Sequence, residues 1–134
     1  MVTGLIAAVT VVSLRLEGHR WWCAIGDWSP WISDVWSSHC SQHVFDPYSI
    51  THVSHGLIFY GALRLLAPGM RLGWRFCIAI GVAAAWEIAE NSPFVIERYR
   101  SVTMSLEYLG DSVTNALGDI LSCAIGFVLA RWLG

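Results

Sequence analysis

The sequence predicts an all-α fold: an integral membrane bundle of about four transmembrane helices, with a Trp-rich outward surface segment and an interfacial segment before the last helix. Three observations predict it. The 134 residues are 55% hydrophobic and only 13% charged, whereas soluble domains carry about 25% charged residues. All eight cations are arginine, with no lysine anywhere. The stretches between apolar runs are rich in tryptophan, whose ring prefers the headgroup level of a membrane. The length allows one domain, residues 1–134. A net charge of −2 provides no basic field for nucleic acid, so membrane lipids are the expected surroundings.

The first helix is expected over residues 2–16, as an uncleaved anchor about 22 Å long that stops near Arg15. Residues 17–48 hold five of the eight tryptophans and are expected on the outward membrane surface. Cys23 and Cys40 lie in this stretch, where a disulfide between them is permitted but not required. A second helix is expected over 49–66. Pro47 precedes it, Ser49 or Thr51 is a candidate cap, and Pro68-Gly69 ends it. A third helix is expected over 74–91, stopped by Asn91-Ser92-Pro93. Residues 94–109 mix aromatic rings with charges and read as an interfacial segment, in which Arg100 is expected to pair with Glu97 or Glu107. The fourth helix is expected over 111–132, capped by Asp111 or Ser112.

No run reaches 18 uninterrupted apolar residues, so the membrane reading rests on composition and on where the interruptions fall. Arg64, Arg71, Arg75 and Arg131 share one side and lie tight against helix ends, which assigns that side to the cytoplasm. Small residues recur every four positions at Gly118, Ser122, Gly126 and Ala130, and again at Gly81, Ala85 and Ala89. Such seams let backbones approach closely, and the third and fourth helices are expected to pack along them.

The interrupting polar groups form the candidate site. His52 and His55 share a face of the second helix; Glu87, Glu90 and Asn91 crowd the end of the third; Asp111, Asn115 and Asp119 make a stripe at the start of the fourth. In an alternating topology all three places lie on one membrane side, toward the periplasm. A carboxylate at mid-membrane costs roughly 2.5–3.5 kcal/mol on insertion scales, so these groups must face one another, water, a cation or a partner. His52, His55, Glu87, Glu90, Asp111 and Asp119 are a fair ligand set for one divalent metal ion. Their spacing matches no strict metal signature, and a self-satisfied hydrogen-bond network fits equally well. His52, His55, Glu87 and Glu90 are the catalytic candidates; Asn91, Arg98, Tyr108 and Asn115 are the ligand-binding candidates.

Several runs together resemble a known family. Ser41-Gln42-His43, Asp46, Tyr48, Thr51-His52 and His55-Gly56 are followed by Ala85-Trp86-Glu87 and Glu90-Asn91-Ser92-Pro93-Phe94. Ile96-Glu97-Arg98-Tyr99-Arg100, Tyr108, Gly110-Asp111-Ser112, Asn115 and Asp119 complete the pattern. It resembles the uncharacterised alphaproteobacterial membrane proteins catalogued as domain of unknown function 2585, over about residues 20–132. Such proteins usually show Cys-x-Cys-Gly in the outward stretch, whereas Cys23-Ala24-Ile25-Gly26 keeps only the first cysteine. Asp111, Asn115 and Gly118 alone are also similar to the VanZ-like membrane proteins. The resemblance implies a multi-pass protein of a bacterial inner membrane and brings no activity with it.

Three functions compete. One is a membrane-embedded site for a divalent metal or a polar, lipid-linked ligand, with a hydrolase as its catalytic form. The second is a small non-catalytic accessory subunit that stabilises a larger membrane protein complex. The third, an ion conduit, ranks last because the inward halves of the helices lack polar groups.

Overall fold

A computed structural model describes residues 2–103 and 108–133. Those residues form five helices and no strand: α1 Val2–Leu16, α2 Ser49–Leu66, α3 Leu72–Glu90, α4 Pro93–Val102 and α5 Val113–Leu133. Four of the expected bounds, both ends of α3 and both ends of α5, move by a residue or two, and α4 adds a short helix in the expected interfacial segment. Two helices, α3 and α5, are long and apolar enough to cross a membrane.

Local caps and prolines set the helix boundaries. Asp46, not Ser49 or Thr51, caps α2: its Oδ1 accepts from the backbone N–H of Tyr48 at 2.7 Å and of Ser49 at 3.3 Å. Pro47 then enters the first turn, where it forfeits no hydrogen bond. For α5 the cap is Ser112, whose Oγ accepts from the Asn115 N–H at 3.1 Å. That leaves Asp111 outside the helix with its carboxylate free for other partners. Pro93 opens α4, and its preference for an extended preceding residue ends α3 just before it.

The long stretch between α1 and α2 has no helix and only an isolated bridge between Trp31 and Phe45. It is tied to the start of α5. The N–H groups of Ser112, Val113 and Thr114 donate to the carbonyls of Ser41, Arg20 and Trp21 at 2.8, 2.8 and 3.3 Å. With the Ser112 cap, the first-turn donors of α5 that a helix cannot satisfy for itself are therefore occupied. Gly110, just upstream, has φ +80°, and a Cβ there would collide with Ile96, His19 and Asn91.

Helix α5 is the centre of the molecule, with ten buried residues. Its most extensive packing is against α2. The two run in the same direction: Ser49 meets Asp119 and Tyr60 meets Phe127. Helices α1 and α3 run the opposite way, with Leu14 against Val113 and Ala116, and Ile80 and Ala84 against Ile120.

This arrangement corrects the expected helix partner of the small-residue seam. A Cβ at Gly126 would collide with the Val53 carbonyl, and one at Gly56 with the backbone of Cys123 and Phe127. At Gly118 it would strike the Val44 carbonyl. The α5 seam therefore receives α2 and the segment leading into it, not α3. Gly81 on α3 has only the Ile6 side chain nearby, at an ordinary 3.9 Å from a Cβ. Spacing announces that something will come close; it does not say which helix.

Candidate functional site

The polar ends of α2, α3 and α5 meet in one buried cluster. Its centre is His52, with the ring between two carboxylates from different helices. Nδ1 lies 3.4 Å from Glu87 Oε1, and Nε2 lies 3.8 Å from Asp119 Oδ2. Glu87 is only 1% exposed, and neither of its carboxylate oxygens has a hydrogen-bond partner. Asp119 is held from the other side by the Ser49 hydroxyl, which donates to its Oδ1 at 2.8 Å. Donor atoms of His52, Glu87 and Asp119 all lie within 4.8 Å of one another. Turns of three helices thus converge because each polar position sits on the face its helix turns toward α5 or α2.

In front of this cluster is a cavity of about 400 Å³, lined by His52, Glu90, Asp111 and Asp119 and by the rings of Trp36, Tyr48, Tyr99 and Tyr108. No arginine lines it. Glu87 is not in the wall; it stands behind His52. The ring thus shows Nε2 and the neighbouring Asp119 to the cavity, while Nδ1 faces back to Glu87.

A second network forms the upper wall. Asp111 is buried, its Oδ2 accepting from Asn91 Nδ2 at 2.7 Å and its Oδ1 from the Tyr108 hydroxyl at 3.1 Å. The Asp111 N–H donates to Asn91 Oδ1 at 2.6 Å, and Asn91 Nδ2 also reaches the Glu87 carbonyl. His19 joins the network through both ring nitrogens, 2.8 Å from the Asp111 carbonyl and 2.9 Å from that of Asn91. Burial pushes the Asp111 carboxyl up from its ordinary value, against the lowering effect of the Asn91 and Tyr108 hydrogen bonds. Burial likewise pushes the Tyr108 phenol up, so it stays a hydroxyl and a donor.

Of the ten candidate residues, His52, Glu90, Tyr108, Asp111 and Asp119 line the cavity. Glu87 backs it. Asn91 is a strut whose amide is fully used. Asn115 is buried, with both amide atoms unpartnered, one turn from Asp119 on α5. His55 is exposed, edge-on to His52 at 5.5 Å and stacked on Phe59. Arg98 is exposed outside the cavity. Arg100 departs from the expected pairing with Glu97 and instead donates to the Tyr108 carbonyl at 2.5 Å; Glu107 lies outside the described residues. Sequence reasoning named Ser49 only as a helix cap and Asp46 only within the family pattern, without a place at the site, and it passed over His19. An Asp-Pro-x-Ser helix start signals the first two; nothing local signals His19.

The cysteines are free, so Cys23 and Cys40 are not bridged. Cys40 is buried, which pushes its thiol up to about 11. Cys23 has a different environment: its Sγ is 3.3 Å from His39 Nδ1.

The chain is similar to proteins of alphaproteobacteria. It is 48% identical over 131 residues to a UPF0314 protein of Paracoccus denitrificans, covering 98% of this chain and 68% of that one. It is 45% identical over 128 residues to a UPF0314 protein of Sinorhizobium fredii, covering 96% and 65%. It is 43% identical over 135 residues to a UPF0314 protein of Sphingopyxis alaskensis, covering 98% and 72%. The chain thus spans about two thirds of the length of these relatives. No solved structure matches it. A family model described as "Protein of unknown function (DUF2585)" matches residues 14–134, and the chain belongs to that family.

Proposed function

We propose that the protein is a multi-pass inner-membrane protein whose cavity, toward the periplasm, binds a divalent metal ion or a polar, lipid-linked ligand, the metal being the reading the geometry favours. Four helices crossing the membrane suit the surface. The outer faces of α1, α2, α3 and α5 leave Leu5, Val9, Ile58, Val82 and Ile125 exposed, and apolar faces of that extent favour lipid over water. At 18 residues α2 is about 27 Å long, and at 21 residues α5 is about 32 Å, close to the hydrocarbon thickness.

One observation carries the site: His52 is clamped between a carboxylate behind it and a carboxylate beside it at the cavity. When a ring nitrogen ligates a metal, the other commonly donates to a carboxylate that orients the ring and raises its basicity. Glu87 is placed for the second role, through Nδ1. Nε2 and Asp119 Oδ2 are placed for the first, and their 3.8 Å separation suits two ligands on one ion. A wall with three acidic residues and no arginine favours a cation. Such an ion would lower the pKa of a bound water and furnish a nucleophile for hydrolysis. His52, if left unligated, is the general base.

The test is binding of manganese and zinc to the detergent-purified protein, wild type against His52→Asn, Asp119→Asn and Glu87→Gln. The first two are expected to lose the ion, and Glu87→Gln to weaken it by about 10–100-fold. Equal binding in all four proteins refutes the metal reading. A second reading is an accessory subunit of a larger membrane complex, favoured by the exposed rings of Trp28, Trp36 and Phe94. A complex on native gels that dissolves on Trp36→Ala supports it; a wild-type monomer refutes it.

A further inference from the structure

The loop between α1 and α2 carries a second cluster, remote in sequence from the helix carboxylates. Cys23 Sγ lies 3.3 Å from His39 Nδ1, and His39 Nδ1 lies 3.5 Å from His43 Nε2. The three donor atoms lie within 4.8 Å of one another. Asp27 completes the group, with Oδ2 4.0 Å from His43 Nε2. Zinc binds imidazole nitrogen at about 2.0–2.1 Å and thiolate sulfur at about 2.3 Å, so donors at the corners of a tetrahedron stand roughly 3.3–3.6 Å apart. The two close contacts fall in that interval.

The surroundings fit as well. His43 is fully buried, and its Nδ1 lies 2.5 Å from the Ser29 carbonyl. That bond fixes the N–H on Nδ1 and leaves the Nε2 lone pair facing the other donors, the outer-shell arrangement that metal-ligating histidines use. Trp22 packs edge-on against the His43 ring at 5.8 Å and donates from Nε1 to the Asp27 carbonyl, shielding one side. The segment from 17 to 48 also needs a fastening. It has no helix and one isolated bridge, and so long a run without secondary structure is uncommon in a compact domain. A metal holding its two ends supplies that order, since binding free energy becomes folding free energy.

We infer that Cys23, His39, His43 and Asp27 form a structural zinc site that pins the Trp-rich loop over the cavity. On binding, the Cys23 thiol releases its proton to solvent and the sulfur ligates as thiolate. The site is independent of the His52 cluster, so each reading can fail without the other.

The experiment is metal analysis and cobalt substitution of the detergent-purified full chain, comparing wild type, Cys23→Ser, His39→Gln and Glu87→Gln. Wild type is expected to retain a loop-bound zinc through dialysis, besides the ion of the His52 cluster, and its cobalt form to show a thiolate-to-cobalt charge-transfer band, which the cysteine-free His52 cluster does not give. Cys23→Ser and His39→Gln are expected to lose that band and about one zinc per chain relative to wild type, with helix content unchanged; His39 is half-exposed, so its replacement leaves the helical core intact. Glu87→Gln, which weakens only the ion at the His52 cluster, is expected to keep the band. Absence of the band in wild type, a band or the full wild-type zinc content retained by either loop variant, or loss of the band in Glu87→Gln would overturn the site.

Discussion

Asp111 illustrates how a single buried carboxyl is used. Two side chains hold its oxygens and its own N–H returns a bond to Asn91, yet burial still pushes the carboxyl up. The folded chain therefore holds this proton more tightly than the unfolded one. Its contribution to stability is fully present below the ordinary value of 3.8 and is lost as pH rises through the higher folded value. Asp111→Asn removes the titration, and the amide can still accept from Asn91. The expected result is a weaker decline of thermal stability in detergent with rising pH. Parallel pH profiles for wild type and variant would contradict this account.

At the scale of elements, α2 and α5 are joined by close backbone contact at glycines as well as by the Tyr60–Phe127 ring pair. Gly56, Gly118 and Gly126 each occupy a place where a Cβ meets a backbone carbonyl, and backbone cannot yield as a flexible side chain can. Gly126→Ala is expected to destabilise by about 1–3 kcal/mol through overpacking. Gly81→Ala, with ordinary space around it, is expected to be neutral or stabilising by up to about 1 kcal/mol through helix propensity. Denaturation of both variants checks the contrast; equal effects would mean the seam does not face α2. The sequence reading identified the seam correctly and misassigned its helix partner, because a four-residue repeat marks a flat face on one helix and says nothing of its neighbour.

For the whole molecule, the direction of the helices places the cavity at the end where α2 and α5 begin and α1 and α3 finish. The loop around Gly69 then lies at the opposite end. Reporter cysteines at Ser38 and Gly69 test this placement in spheroplasts with a membrane-impermeant maleimide. Ser38→Cys is expected to label above the wild-type background in intact spheroplasts, and Gly69→Cys only after lysis. Labelling of both from one side would exclude the alternating bundle; the reversed pattern would put the cavity in the cytoplasm.

Composition and the positions of polar residues along each apolar run were enough to predict an all-helical chain and to locate α1, α2, α3 and α5 within two residues. They also identified His52, Glu87 and Asp119 as groups needing company, because intramembrane charge is costly whatever the fold. Tertiary structure alone decided how the company is arranged. His52 rather than His55 turns inward, Glu87 stands behind the ring while Asp119 stands beside it, and Asn91 becomes a strut. Cys23 meets His39 and His43 only because an irregular loop folds back across 16 and 20 positions. Helical periodicity reaches three or four residues, and contacts of longer range depend on backbone paths that no local pattern encodes.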